Sequence, residues 1–230
     1  MFFSGFCDEA AKDIDGQIKA QKKIGGFDYV ELRMVDGVQF ASVDNATFEA
    51  IVGKLNDAGL KISSYGSAIA NWSRDIDGDF QVDIDDLKRI APRMKKTKTP
   101  IVRVMSWANR NNVPESVWHT EAVRRMKELC RIGEDHGIII GHENCDGWGG
   151  HEIKNTLMLL EEVDSPALKL IFDTGNPPHH QQNAWEYYKT VRNHIAYVHI
   201  KDYKRVEGQE KLVPCFAGEG LGCEIGRAHV

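Results

Sequence analysis

Residues 138–145 of the 230-residue chain are IIIGHENC, in which three apolar residues lead into the carboxylate of Glu143. Two later stretches repeat this arrangement, because LKLIFD ends at Asp173 and IAYVH ends at His199. A charged side chain at the end of a buried strand is unfavourable unless a counter-charge or a metal ion neutralises it. Three successive apolar strands are therefore predicted to carry two carboxylates and an imidazole at their carboxyl ends.

The same alternation extends along the chain, since short β-branched runs are followed by longer stretches with helical periodicity. One helix is predicted from a cap at Asp44 or Asn45 to Gly59, and another from Pro114 to Gly137. Such alternation is typical of parallel βαβ units. Seven strands are predicted, at residues 2–6, 29–34, 61–65, 101–105, 138–143, 169–173 and 196–200.

An open doubly wound sheet would give the same alternation, but no predicted strand is followed by a GxGxxG turn. Polar side chains instead follow many different strands, as at Glu31, Ser67 and Arg103. A barrel builds its site from the carboxyl ends of many strands. The sequence therefore favours an α/β fold of the (β/α)8 TIM barrel type.

The composition is that of one ordinary globular domain, with 42% apolar and 27% charged residues and a net charge of −5. This charge offers no basic surface for nucleic acid, and no segment has membrane-spanning length. The five cysteines contain no CxxC pair. We expect reduced thiols, a cytoplasmic protein, and neither a nucleic-acid nor a membrane partner.

Glu143, Asp173 and His199 together suit a divalent metal ion such as Mn, Co, Mg or Zn. Each residue alone has a structural alternative, because Glu143 could pair with a basic side chain and His199 could be a hydrogen-bonded core residue. Their arrival from three consecutive strands favours the metal site.

The segments GHENCDGW, IFDTGNP and YVHIKDY resemble strands of the sugar phosphate isomerase/epimerase family, a group of xylose isomerase-like TIM barrels. FCDEA, YVELR, SSYGSAIANW and IVRVMSW also resemble this group, which contains tagatose-type epimerases, inosose dehydratase-like proteins and, more distantly, endonuclease IV. The resemblance implies metal ligation by Glu143, Asp173 and His199, a small carbohydrate substrate, and possible homodimers.

The chain departs from the family pattern in two places. The family's fourth ligand, a second Glu, ends an eighth strand beyond a Gly-Glu-Gly turn matched here by residues 218–220, so Glu219 is expected to be a loop residue. We expect residues 1–223 to form a barrel truncated after the seventh strand, with an open edge, and residues 224–230 to be a non-native tail resembling a translated sequencing adapter. Asn176 stands where many family epimerases have a histidine, for which His179 or His180 could substitute.

The resemblance implies isomerisation or epimerisation of a sugar or sugar phosphate, with Glu143 as the base that removes a proton to give an enediolate. Polar or aromatic side chains are predicted to contact the substrate, although ordinary packing is an equal alternative for the tryptophans. The predicted substrate residues are Glu31, Arg103, Trp107, Asn176 and Lys201, with Trp72 and Trp148 as further stacking candidates.

Three alternatives stay open. An inosose dehydratase-like lyase would use the same metal and the same proton abstraction. An endonuclease IV-like phosphodiesterase is disfavoured, because it needs further histidines that ISSYGS and VRVMSW lack. A degenerate, non-catalytic sugar-binding barrel would bind metal and ligand without turnover.

Overall fold

A computed structural model describes residues 2–222 of the chain. The predicted tail at residues 224–230 therefore lies outside the described residues. Eleven strands are described: β1 (Ser4–Phe6), β2 (Tyr29–Leu32), β3 (Met34–Val35), β4 (Val38–Gln39), β5 (Lys61–Gly66), β6 (Ile101–Ser106), β7 (Ile139–Gly147), β8 (Leu168–Asp173), β9 (Ile195–His199), β10 (Asp202–Lys204) and β11 (Val213–Cys215).

In the described part of the chain, seven α-helices connect or follow these strands: α1 (Ile14–Ile24), α2 (Asn45–Asp57), α3 (Gln81–Thr97), α4 (Glu115–His136), α5 (Ile153–Val163), α6 (Asn176–His179) and α7 (Ala184–Val191). Asp44 caps α2 by accepting a hydrogen bond from the Thr47 amide at 2.8 Å. No helix among residues 2–222 is both long enough and apolar enough to cross a membrane.

Seven strands form the main sheet in the order β1-β2-β5-β6-β7-β8-β9, and each coincides with a predicted strand to within a few residues. The pairings of β1 with β2, β2 with β5, β5 with β6 and β8 with β9 are parallel. The prediction of βαβ units is confirmed. The strand that was predicted to end at Glu143 continues as β7 to Gly147.

The chain divides into two compact units. Of the described residues, the first unit comprises 2–69, 79–104 and 129–140. Its interior includes an aromatic cluster in which the Phe40 ring lies 5.7 Å from that of Phe48 and 5.0 Å from that of Tyr65.

Among the described residues, the second unit comprises 70–78, 105–128 and 141–222. In its interior, Leu170 and Phe172 of β8 pack with Tyr187 and Val191 of α7. Inward and outward residues alternate along β9, since His199 is buried while Val198 is 46% exposed. This alternation fixes which side chains of the second unit reach its candidate site.

Candidate metal centre

The three predicted ligands come together in the second unit. Glu143 of β7, Asp173 of β8 and His199 of β9 are 3%, 1% and 8% exposed. One potential ligand atom from each side chain lies within 4.8 Å of the other two. Nδ1 of His199 is 3.0 Å from Oε1 of Glu143. The geometry therefore brings together two buried carboxylates and one imidazole, as the sequence predicted.

The two oxygens of Asp173 have different surroundings. Oδ1 accepts hydrogen bonds from the amides of Gly175 and Asn176, both at 2.9 Å. Oδ2 lies 3.2 Å from Nζ of Lys201. Burial raises the pKa of Asp173 to about 6, and Glu143 adds to the rise while Lys201 and His199 oppose it. Oδ1 is thus held by the backbone, and Oδ2 faces a cation.

Asn144 fixes the main chain of Asp173. Its Nδ2 donates to the Asp173 carbonyl at 3.1 Å, and its Oδ1 accepts from the Asp173 amide at 2.6 Å. The side chain is 3% exposed, so both bonds form away from water. Asn144 therefore sets the position of one candidate ligand relative to the strand that carries another.

Thr174 links the segments that follow β8 and β9. Its amide donates to the His199 carbonyl at 3.0 Å, and its Oγ1 donates to the Lys201 carbonyl at 2.8 Å. The Lys201 amide in turn donates to Oγ1 of Thr174 at 3.2 Å. These contacts fix the main chain next to two of the three candidate ligands.

His142 precedes Glu143 but faces the other side of β7, because successive strand residues alternate. Its Nε2 lies 3.1 Å from Oγ of Ser106. Complete burial lowers the pKa of His142 to about 4, although Glu143 opposes the shift. The imidazole is therefore neutral at pH 7 and belongs to the packing behind the site.

The donor set fits a divalent ion on its chemistry. Two carboxylates share a site from which water is largely excluded, and burial of such a pair is unfavourable without a cation. Oxygen and imidazole nitrogen ligands suit Mg, Mn, Co and Zn. Glu143, Asp173 and His199 would hold the ion.

The other predicted site residues are distributed over both units. Lys201 and Asn176 contact Asp173 as described above. Glu31 and Arg103 are buried in the first unit, where Nη2 of Arg103 donates to the Ser67 carbonyl at 3.1 Å. Their contribution to a substrate site stays a prediction.

The tryptophans differ in exposure. Trp107 is fully buried and Trp148 is 2% exposed, whereas Trp72 is 59% exposed. Trp107 therefore has no exposed ring face on which a sugar could stack in this structure. Its predicted role in substrate binding stays a prediction.

His179 and His180 lie after the Asn176 position and line an open cavity of about 640 Å³ together with His151 and Lys154. Nε2 of His180 is 2.7 Å from the Cys145 carbonyl, and the His179 ring packs edge-on against Tyr203 with 4.2 Å between centroids. Neither histidine belongs to the cluster formed by Glu143, Asp173 and His199.

Sequence reasoning missed Asn144 and Thr174 as residues that position the ligands. The available signal was that each is a polar residue directly after a candidate ligand, Asn144 after Glu143 within β7 and Thr174 after Asp173 at the end of β8.

The fold and the site together define a parallel α/β protein with a candidate metal centre built from three strands, within β7 and at the carboxyl ends of β8 and β9. The family model described as xylose isomerase-like TIM barrel matches residues 18–228. The chain belongs to this family, which confirms the predicted fold class and the resemblance. No curated protein matches the sequence.

Solved structures show the same fold at low sequence identity. The probable 3-DHS dehydratase AsbF from Bacillus anthracis has a TM-score of 0.73 and 18% identity, over 96% of this chain and 85% of that chain. A xylose isomerase-like TIM barrel protein from Mycobacterium smegmatis in complex with magnesium has the same TM-score and identity, over 96% and 82%. The 3-keto-D-glucoside 4-epimerase YcjR from E. coli has a TM-score of 0.69 and 15% identity, over 88% and 80%.

Proposed function

We propose that the protein is a divalent-metal-dependent isomerase or epimerase of a sugar or sugar phosphate. The observation that carries the proposal is the convergence of Glu143, Asp173 and His199, all buried, with ligand atoms within 4.8 Å of one another. Membership in the xylose isomerase-like family supports it. So do an epimerase and a magnesium complex among the proteins of similar fold.

The bound ion would supply Lewis-acid stabilisation of negative charge on the carbonyl and hydroxyl oxygens of the sugar. Glu143 is the proposed base that takes a proton from the carbon beside the carbonyl and leaves an enediolate. Nδ1 of His199 lies 3.0 Å from Oε1 of Glu143, so the proposed base lies directly beside a second candidate ligand. Return of the proton by Glu143 to the neighbouring carbon would give isomerisation. Epimerisation would need a second acid that protonates the opposite face of the same carbon, the role that the family resemblance gives to the second Glu.

Two further side chains are proposed to hold the substrate. The Nζ of Lys201 reaches Asp173 from a side chain that is 39% exposed, so it is accessible to an entering hydroxyl or phosphate oxygen. Nδ2 of Asn176 is buried without a hydrogen-bond partner among residues 2–222, which makes it an available donor. A neutral amide at this position would donate at any pH, unlike the histidine of the family epimerases.

Solvent deuterium exchange tests this proposal. The protein with Mn²⁺ is incubated in D2O with a panel of ketoses and ketose phosphates, and deuterium at the carbon beside the carbonyl is followed by NMR. Exchange needs only the base on one face of the sugar, so it reports on Glu143 directly. We expect exchange with at least one sugar, and its loss in Glu143→Gln.

Glu161→Gln is the matched control, because Glu161 is an exposed glutamate on α5 and the substitution removes the same charge. It should exchange at the parent rate. Equal exchange in parent and Glu143→Gln would overturn the assignment of the base. Tight sugar binding without exchange across the panel would favour the non-catalytic binding protein.

A dehydratase is the second candidate, because a protein of similar fold is named a probable dehydratase. Proton abstraction by Glu143 would be the same, but the enediolate would expel a β-hydroxyl as water. Mass spectrometry separates the two, since dehydration removes about 18 Da, the mass of one water, and isomerisation leaves the mass unchanged.

A further inference from the structure

The turn after β11 is held by one buried carboxylate. Oδ2 of Asp202 accepts from the amides of Gly218 at 3.0 Å and Gly220 at 2.8 Å. Oδ1 accepts from the amides of Gly222 at 2.7 Å and Tyr203 at 2.9 Å. Asp202 is 2% exposed, and each of its two carboxylate oxygens accepts hydrogen bonds from two backbone amides. We call residues 218–222 together with Asp202 the carboxylate clamp.

The clamp brings the turn against the segment that follows β8. A Cβ atom at Gly222 would lie 2.6 Å from the Thr174 carbonyl oxygen, and one at Gly220 would lie 2.3 Å from the Tyr203 carbonyl oxygen. Such approaches are closer than any side chain permits. The turn therefore packs main chain against main chain at Thr174.

Thr174 is the residue through which this packing reaches the candidate ligands. It directly follows Asp173, and its amide donates to the His199 carbonyl at 3.0 Å. Asp202 itself lies three residues after His199, and Oγ1 of Thr174 bonds the main chain of the intervening Lys201. A continuous set of hydrogen bonds and close contacts thus runs from Asp202 through the turn to the peptide groups beside Asp173 and His199.

We infer that Asp202 is a positioning residue for the metal centre. It fixes residues 218–222 against Thr174 and so maintains the Thr174–His199 pairing that sets the separation of Asp173 from His199. The expected effect on ion binding rests on the proposed metal-dependent function. The claim that Asp202 maintains the Thr174–His199 pairing does not depend on a metal. Groups that orient metal ligands typically change metal affinity by 10- to 100-fold when they are replaced.

Asp202→Asn tests the inference, because the amide keeps the size of the side chain but removes an acceptor for two of the four amides. Glu219→Gln is the matched control. Glu219 lies in the same turn, carries the same charge, and among residues 2–222 its side-chain ion pair is a 3.8 Å contact with exposed Lys204.

The first measurement is amide hydrogen exchange at Thr174, followed by NMR in protein treated with a chelator. We expect at least tenfold faster exchange in Asp202→Asn and no change in Glu219→Gln. The second is Mn²⁺ binding by calorimetry, where we expect affinity about tenfold weaker in Asp202→Asn and within twofold of the parent in Glu219→Gln.

Unchanged exchange at Thr174 in Asp202→Asn would overturn the inference, whatever the metal does. Faster exchange with unchanged Mn²⁺ affinity would also overturn it, because the clamp would then be structural only. If the parent binds no Mn²⁺, the proposed function fails, and the Thr174 exchange then decides only the structural part, namely whether Asp202 maintains the Thr174–His199 pairing. If Asp202→Asn does not fold, Asp202→Glu, which keeps the charge but displaces the turn by one methylene, replaces it under the same criteria.

Discussion

Asp173 and Asp202 are two buried aspartates of the same compact unit whose pKa values shift in opposite directions. Asp173 has one oxygen held by two amides and the other facing Lys201, and its pKa rises to about 6. Burial alone would also raise the pKa of Asp202, but the amides of Gly222, Gly220, Tyr203 and Gly218 lower it below its ordinary value.

The difference lies in how completely each carboxylate is satisfied by the chain's own donors. A buried carboxylate that accepts several backbone hydrogen bonds is stable as an anion and fixes the main chain that donates them. A buried carboxylate with fewer backbone donors has a less well stabilised charge, which Lys201 offsets in part at Asp173 and a metal ion would offset further. Burial by itself therefore does not identify a metal ligand, whereas the count of backbone donors separates Asp173 from Asp202.

The largest expected effect is on metal binding by Asp173→Asn. The substitution keeps an oxygen for the amides of Gly175 and Asn176 and removes the charge that would bind the ion. We expect Mn²⁺ affinity to fall more than 100-fold while the protein stays folded. Calorimetry and circular dichroism check this, and an affinity within tenfold of the parent would remove Asp173 from the ligand set.

The pH dependence of metal binding should be the next largest effect. Because the pKa of Asp173 is about 6, protons compete with the ion below that pH. Mn²⁺ affinity should be nearly constant above pH 7 and fall about tenfold per unit below pH 6, as for one competing proton. Titration calorimetry between pH 5 and 8 measures it. A flat profile would contradict the assigned role of the raised pKa.

Stability of the metal-free protein should show opposite pH dependences for the two aspartates. The folded-state pKa of Asp173 is raised, so its contribution is fully present below about pH 4, the unfolded value, and is lost as pH rises through 6. The folded-state pKa of Asp202 is lowered, so its contribution is present above about pH 4 and is lost as pH falls through the folded value.

Chemical denaturation from pH 3 to 8 would resolve the two contributions. Asp173→Asn should remove the decline near pH 6, and Asp202→Asn should flatten the acid limb. If the two substitutions change the same limb, the contrast between the carboxylates is wrong.

A smaller effect is expected from Lys201→Met. Nζ of Lys201 lies 3.2 Å from Asp173, so the ammonium competes with a metal ion for the same oxygen. At pH 8, where Asp173 is ionised, we expect Mn²⁺ to bind several-fold more tightly in this variant. Lys204→Met serves as the control, because Lys204 lies after the site and forms a long ion pair of 3.8 Å with exposed Glu219. Weaker binding in Lys201→Met would show that Lys201 supports the site instead of competing for it.

The smallest effect belongs to the pair of Lys204 and Glu219. Both side chains are about half exposed, and such pairs contribute about 0 to 1 kcal/mol. Glu219→Gln should change the free energy of unfolding by less than about 0.5 kcal/mol, measured in urea. If Glu219→Gln lowers the free energy of unfolding as much as Asp202→Asn does, Glu219 and not Asp202 makes the contact that stabilises the turn.

The fold and the three candidate ligands were accessible from sequence because they follow local rules. Each apolar run predicts a strand, and the carboxyl ends of parallel strands lie at one edge of a sheet. Glu143, Asp173 and His199 end three such runs, so their convergence follows from strand order alone.

The positioning network was not accessible in this way. In the turn at residues 218–220, Glu219 is the charged residue that the sequence shows. The turn is held instead by backbone amides, and a sequence does not show which amides form hydrogen bonds. Their acceptor, Asp202, lies at least 16 residues earlier in the chain. Side chain to backbone bonds over such a distance have no periodicity, and the same holds for the bonds of Asn144 to Asp173.

The close packing at Gly220 and Gly222 has a consequence for sequence variation. Surface turns usually accept many substitutions, yet a methyl group at either position would meet a carbonyl oxygen. In a mutational scan selected for metal-dependent growth, these positions should therefore be as intolerant as the ligands themselves, although neither has a side chain. Invariance at Gly220 and Gly222 would then reflect the backbone geometry that the proposed metal centre requires.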